Sequence, residues 1–124
     1  MEGELLYPEL SYELVGLAFN VYNRLGFGYQ EKYYQRAYEM ELLDRKKLYK
    51  KEQKCVLMYN GRRMGRYFID FVVQNKIVIE LKVANGFYLQ HYKQVKGYLK
   101  ATRLRLGIII IFTKNGIKSK RVAN

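Results

Sequence analysis

The run Leu106-Gly-Ile-Ile-Ile-Ile-Phe112 contains no polar side chain. A strand that meets water on one face alternates apolar and polar residues with period two. This run does not alternate, so it reads as a central strand buried on both faces. Covering both faces of a sheet requires helices, which directs the chain to an α/β fold with a mixed sheet flanked by helices. The run is also far too short to cross a bilayer.

The remaining elements fit around that strand. Leu14, Leu17, Ala18, Val21, Tyr22 and Leu25 recur at helical spacing, predicting a helix over Tyr12–Leu25 with Ser11 as N-cap and Gly26 and Gly28 ending it. A second helix is predicted over Gln30–Arg45, burying Tyr34, Ala37, Tyr38 and Leu42. Three strands follow, over Lys51–Tyr59, Met64–Val73 and Lys76–Val83, the first two joined by the hairpin signal Asn60-Gly61. A third helix spans Tyr88–Ala101, with Leu89, Tyr92, Val95 and Leu99 facing inward. If it joins two parallel strands, it is a right-handed crossover. A short edge strand over Ile117–Val122 closes the chain.

At 124 residues this is one domain, with residues 1–10 as a lead-in and residues 11–124 as the folded unit. The single cysteine, Cys55, cannot form an internal disulfide and reads as a small core residue. Met1-Glu-Gly-Glu4 lacks the basic and apolar regions of a signal peptide, so a cytoplasmic protein is expected.

Charge narrows the partner. Lys and Arg number 23 against 11 Asp and Glu, a net charge of +12 with a pI near 9.8. Nine of the basic residues lie between Arg45 and Arg66, including Arg62 and Arg63. Such a surface binds polyanions through phosphate contacts and counterion release. No basic helix with bulky apolar residues opposite its lysines is present, so nucleic acid is favoured over an anionic membrane.

Chemistry enters with the second and third predicted strands, Tyr67-Phe-Ile-Asp70-Phe-Val-Val and Ile77-Val-Ile-Glu80-Leu-Lys82. Ionised carboxylates flanked by apolar residues are costly unless paired or metal-bound. Salt bridges of Glu80 with Lys82, or of Asp70 with Arg66, are the ordinary explanation for either acid alone. Two acids on adjoining strands, with a lysine two residues on and on the same face as Glu80, suit a hard divalent cation. Asp70, Glu80 and the Leu81 carbonyl can supply oxygen ligands, and Lys82 can orient an attacking water. Glu31, a helix N-terminal charge by default, can reach the same ion directly or through water.

The helix after Glu80-x-Lys82 places Gln94 and Tyr98 on one face, with His91 three residues before Gln94. Gln94 is the candidate to touch the nucleophile or a phosphate, and Tyr98 a phosphate. His91, the only histidine, ranks lower as a surface residue. Most of the 13 tyrosines sit at core spacing, whereas Tyr29, Tyr33 and Tyr88 are candidates to stack on bases. C-x-x-C, H-E-x-x-H and Walker-type motifs are absent.

Taken together, Gly28-Tyr-Gln-Glu31-Lys-Tyr-Tyr34, Asn60-Gly61, Ile69-Asp70, Ile79-Glu-Leu-Lys82 and Gln94-x-x-x-Tyr98-Leu99 resemble the GxxExxY proteins, a branch of the PD-(D/E)xK nuclease superfamily. The resemblance runs over roughly Leu14–Val122. It implies a restriction-endonuclease-like core of order α-β-β-β-α-β, preceded here by an extra N-terminal helix. It also implies a metal-dependent nuclease site at Glu31, Asp70, Glu80 and Lys82. Gln94 and Tyr98 look like the Q-x-x-x-Y motif of the RecB-like and lambda-exonuclease-like nucleases, which helps position substrate and nucleophile. Ile69 stands where the motif name has proline.

The expectation is therefore a Mg²⁺- or Mn²⁺-dependent nuclease acting on DNA rather than RNA. Arg62, Arg63 and Arg66 would hold the flanking backbone, and a homodimer is among the assemblies allowed. The alternative is a non-catalytic nucleic-acid-binding module on the same fold, and a third reading is a structural subunit whose basic face meets an acidic protein.

Overall fold

The computed structural model describes residues 5–124. Helices α1 (Pro8–Leu25) and α2 (Glu31–Asp44) precede strands β1 (Tyr49–Tyr59), β2 (Arg62–Val73) and β3 (Ile77–Val83). Helix α3 (Leu89–Thr102) and strands β4 (Leu106–Thr113) and β5 (Gly116–Ala123) complete the chain. The strands form one sheet in the order β1-β2-β3-β4-β5, parallel between β3 and β4 and antiparallel elsewhere. This is the α/β architecture expected, with α3 as the crossover between parallel neighbours.

β4 is buried at all eight positions, and its alternate residues feed two cores. Ile108, Ile110 and Phe112 pack with Leu14, Leu17, Tyr34 and Tyr38 of α1 and α2. Ile109 and Ile111 pack with Val95 and Leu99 of α3. Gly107 lets α3 settle close, because a Cβ there would lie 2.5 Å from Val95 Cγ1. Tyr34 stacks on Phe112, with ring centroids 4.4 Å apart, and Tyr38 donates to the Leu14 carbonyl at 2.8 Å. These contacts fix α2 against both α1 and the sheet.

The turns follow the sequence. Asn60 and Gly61 both take positive φ, 49° and 75°, as a two-residue hairpin turn of mirror type requires. Gly26 closes α1 at φ 69°, its N–H donating to the Tyr22 carbonyl.

Three expectations change. Helix α1 begins at Pro8, whose missing N–H is harmless in a first turn. The lead-in expected over residues 1–10 therefore loses its last three positions to the helix, and residues 1–4, with the region read for a signal peptide, lie outside the described residues. Ser11 is not an N-cap; it is buried inside α1, donates to the Pro8 carbonyl and accepts from Arg121 Nη1 at 2.7 Å. Leu89 is 67% exposed, because the first turn of α3 projects past the end of the core.

Candidate active site

The pairing of β2 with β3 stops early. Val73, Val72 and Phe71 face Ile77, Val78 and Ile79, and no further ladder pair joins these strands. On its other edge β3 pairs with β4 along its whole length, Ile77 to Val83. β2 and β1, by contrast, continue together to the hairpin tip. The sheet thus opens between β2 and β3 at Asp70 and Glu80.

A buried N–H left without a strand partner must find another acceptor. Carboxylates supply it here. Asp70 Oδ2 accepts from the Leu81 N–H at 2.8 Å. Glu80 Oε1 accepts from the Asp70 N–H at 3.1 Å. Glu31, the first residue of α2, accepts from the Val83 N–H at 3.0 Å through Oε1. Its other oxygen lies 3.8 Å from Lys82 Nζ. The open strand edge therefore gathers Glu31, Asp70, Glu80 and Lys82 at one place.

The electrostatics are unusual for paired acids. Burial, followed by the neighbouring Asp70 charge, pushes the Glu80 carboxyl up to about 9. Burial likewise raises Asp70, although the Leu81 N–H and Lys82 oppose the shift. Two buried carboxylates this close cannot both ionise cheaply without more positive charge. A divalent cation would relieve that repulsion, and two carboxylates with a backbone carbonyl are the hard oxygen donors Mg²⁺ or Mn²⁺ accepts. Among the described residues, no three His, Cys, Asp or Glu side chains are gathered tightly enough to hold a metal unaided. The Leu81 carbonyl and water would complete such a site, in keeping with the waters Mg²⁺ retains.

Four further neighbours, three with no local sequence signal for a site beyond helical spacing and one ranked low on it, lie around these acids. Gln35 Nε2 donates to Asp70 Oδ1 at 3.0 Å and lies 3.5 Å from Glu31 Oε2. Its spacing of four from Glu31 on one helix was the available signal. Lys32 and Arg36 flank the Tyr33 ring and, with Gln35 and Lys51, line a cleft of about 290 Å³ that opens on Asp70. His91 is buried rather than exposed, with Nδ1 unpartnered and the ring set edge-on to Tyr88. Burial, and after it the Lys82 charge, lowers its basicity, while Glu31 opposes the shift.

The other sequence candidates divide. Gln94 is half-buried one turn beyond His91. Tyr98 is buried against the second core and borders a cleft at the β2–β3 turn with Lys50, Gln53 and Asn75. That turn lies at the opposite end of β3 from Lys82. Arg62, Arg63 and Arg66 are exposed along the β1–β2 hairpin. At strand spacing Arg66 stands about 13 Å from Asp70 and Arg62 about 26 Å.

Comparison with known proteins agrees with this geometry. Residues 8–122 match the PD-(D/E)XK nuclease superfamily, to which the chain belongs. Among solved structures, the crystal structure of SSO0001 is similar at a TM-score of 0.61 and 18% identity over 95% of this chain. The chain spans 57% of the length of that protein. An alkaline exonuclease from Laribacter hongkongensis is similar at a TM-score of 0.51 and 12% identity, covering 98% of this chain and 72% of the exonuclease. At these identities the two likenesses speak for the fold alone. No curated protein matches the chain. Nucleases of this superfamily generally use divalent metals, and their substrate is nucleic acid. No helix among the described residues is long and apolar enough to cross a membrane.

Proposed function

We propose that the chain hydrolyses phosphodiester bonds of DNA with Mg²⁺ or Mn²⁺. The observation that carries this reading is the interlocked pair Asp70 and Glu80 at the opening of the sheet, with Lys82 two residues beyond. Asp70, Glu80 and the Leu81 carbonyl would hold the metal, with Glu31 assisting. When bound, the ion would supply charge stabilisation at the phosphate and increase the acidity of a coordinated water.

The chain's own groups do the rest. Lys82, steadied by Glu31, points its ammonium at the attacking water and orients it. Gln35 fixes the Asp70 carboxylate through one oxygen while the Leu81 N–H fixes the other. Gln94 reaches the nucleophile or a substrate phosphate from α3. Lys32, Arg36 and Lys51 guide one stretch of backbone through the cleft beside Asp70, and Arg62, Arg63 and Arg66 meet phosphates further out. Tyr98 contributes by seating α3 rather than by touching substrate.

Cleavage of linear and circular DNA is measured with Mg²⁺, Mn²⁺ or EDTA, for wild type beside Lys82→Ala. Metal-dependent loss of substrate in wild type alone supports the assignment. Full activity in Lys82→Ala removes it. Binding of DNA with no cleavage under any metal would instead favour a module that binds without cutting.

A further inference from the structure

A second cavity lies on the other flank of α3. It holds about 350 Å³ and is lined by Phe87, Tyr88, Leu89, Tyr92, Ile109 and Lys120. Its walls are aromatic and its one charge is a cation: Lys120 Nζ sits 5.9 Å from the Phe87 ring centre and 5.6 Å from that of Tyr92. Phe87 and Tyr88 keep 38% and 49% of their surface exposed, so both rings are open to a ligand from solvent.

Register ties this cavity to the acids. Glu80 pairs with Ile109, and Ile109 pairs with Lys120, so the three form one row across β3, β4 and β5. With strands about 4.8 Å apart, the Lys120 and Glu80 Cα atoms are about 10 Å apart. Ile109, the cavity floor, is thus the immediate neighbour of Glu80. Tyr88 forms part of the wall and meets His91 edge-on at 5.6 Å.

From this arrangement, and resting on the nuclease reading above, we infer that the cavity receives a nucleobase of the bound strand. A base offers a flat π-face to Phe87 and Tyr92, and acceptor atoms or an adjoining phosphate to Lys120. A base still stacked inside a duplex cannot enter a side cavity. The substrate is therefore DNA with unpaired bases beside the scissile bond: a single strand, a flap or a frayed end. The site of cutting lies next to that unpaired base.

The test separates base binding from catalysis. A fluorescein-labelled thymidine 12-mer and an all-abasic 12-mer are bound to the full chain in EDTA and followed by anisotropy. Wild type should prefer the base-bearing strand by about five- to a hundredfold. Phe87→Ala and, separately, Lys120→Ala should weaken binding of the thymidine strand, with Phe87→Ala leaving the abasic strand unchanged. Equal losses on both strands for Phe87→Ala, or none on either, would overturn the inference, as would tighter binding of a blunt duplex than of the single strand. Circular dichroism melting checks that each variant is folded. Because no metal is present, a base preference can stand even where cleavage is absent, and the two readings fail independently.

Discussion

The two edges of β3 behave differently, although they belong to the same seven residues. Toward β4 every position is paired, and Ile77 to Val83 lie against Leu106 to Phe112 in unbroken register. Toward β2 the ladder ends after three pairs, and carboxylates replace main-chain acceptors. The paired edge stabilises the fold. The open edge concentrates acids in a buried place, which costs stability unless positive charge meets them. Regular pairing consumes polar groups, and a break in pairing frees them for chemistry.

The largest effect should come from the open edge. Lys82→Ala should lower cleavage by on the order of a thousandfold while melting close to wild type, as read by rate assay and circular dichroism. Asp70→Asn should remove most of the metal-dependent activity, with isothermal titration against Mn²⁺ recording the lost affinity. Gln35→Ala should lower metal affinity or activity by about ten- to a hundredfold, because it releases one oxygen of Asp70 without removing the ligand. An unchanged Mn²⁺ titration in that variant would show that Gln35 does not orient the site.

The paired edge should respond in stability and not in chemistry. Gly107→Ala forces a methyl against Val95 Cγ1 and should cost about 1–3 kcal/mol by denaturant titration. The metal turnover number should stay near wild type once the variant is folded.

The smallest effect sharpens the contrast by pH. Glu80 holds its proton in the folded chain up to about 9 but ionises near the ordinary carboxylate range when unfolded. Across pH 7 to 9 the folded state therefore binds more protons than the unfolded one, and stability falls as pH rises. In EDTA the loss should be on the order of 1 kcal/mol per pH unit. Glu80→Gln should flatten the slope, and Mg²⁺ should protect wild type more at pH 8.5 than at pH 7. A slope that survives Glu80→Gln would assign it to another group.

Much of this was legible in the chain itself. The unalternating run Leu106–Phe112 announced a doubly covered strand, Asn60-Gly61 announced a hairpin, and Asp70, Glu80 and Lys82 announced adjoining acids with a cation. Each signal is local, set by period two, by positive φ or by a spacing of two residues. Gln35 and His91 carried only helical spacings, four from Glu31 and three from Gln94, and the meaning of those depends on which helix face turns toward an opening made by other elements. Ser11 misled for the same reason: a hydroxyl near a helix start is a cap by local rule, yet Arg121 from the far end of the chain claims it.

The sequence by itself determined the alternation of elements, the double-sided burial of β4 and the residue types able to bind a cation. Only the tertiary structure decided that β2 and β3 part at Asp70, that α2 lends Glu31 and Gln35 to the gap, and that Tyr98 stays in the core. The physical reason is that patterning specifies which surface each element must bury, whereas the point where two strands stop pairing is fixed by all the packing around them.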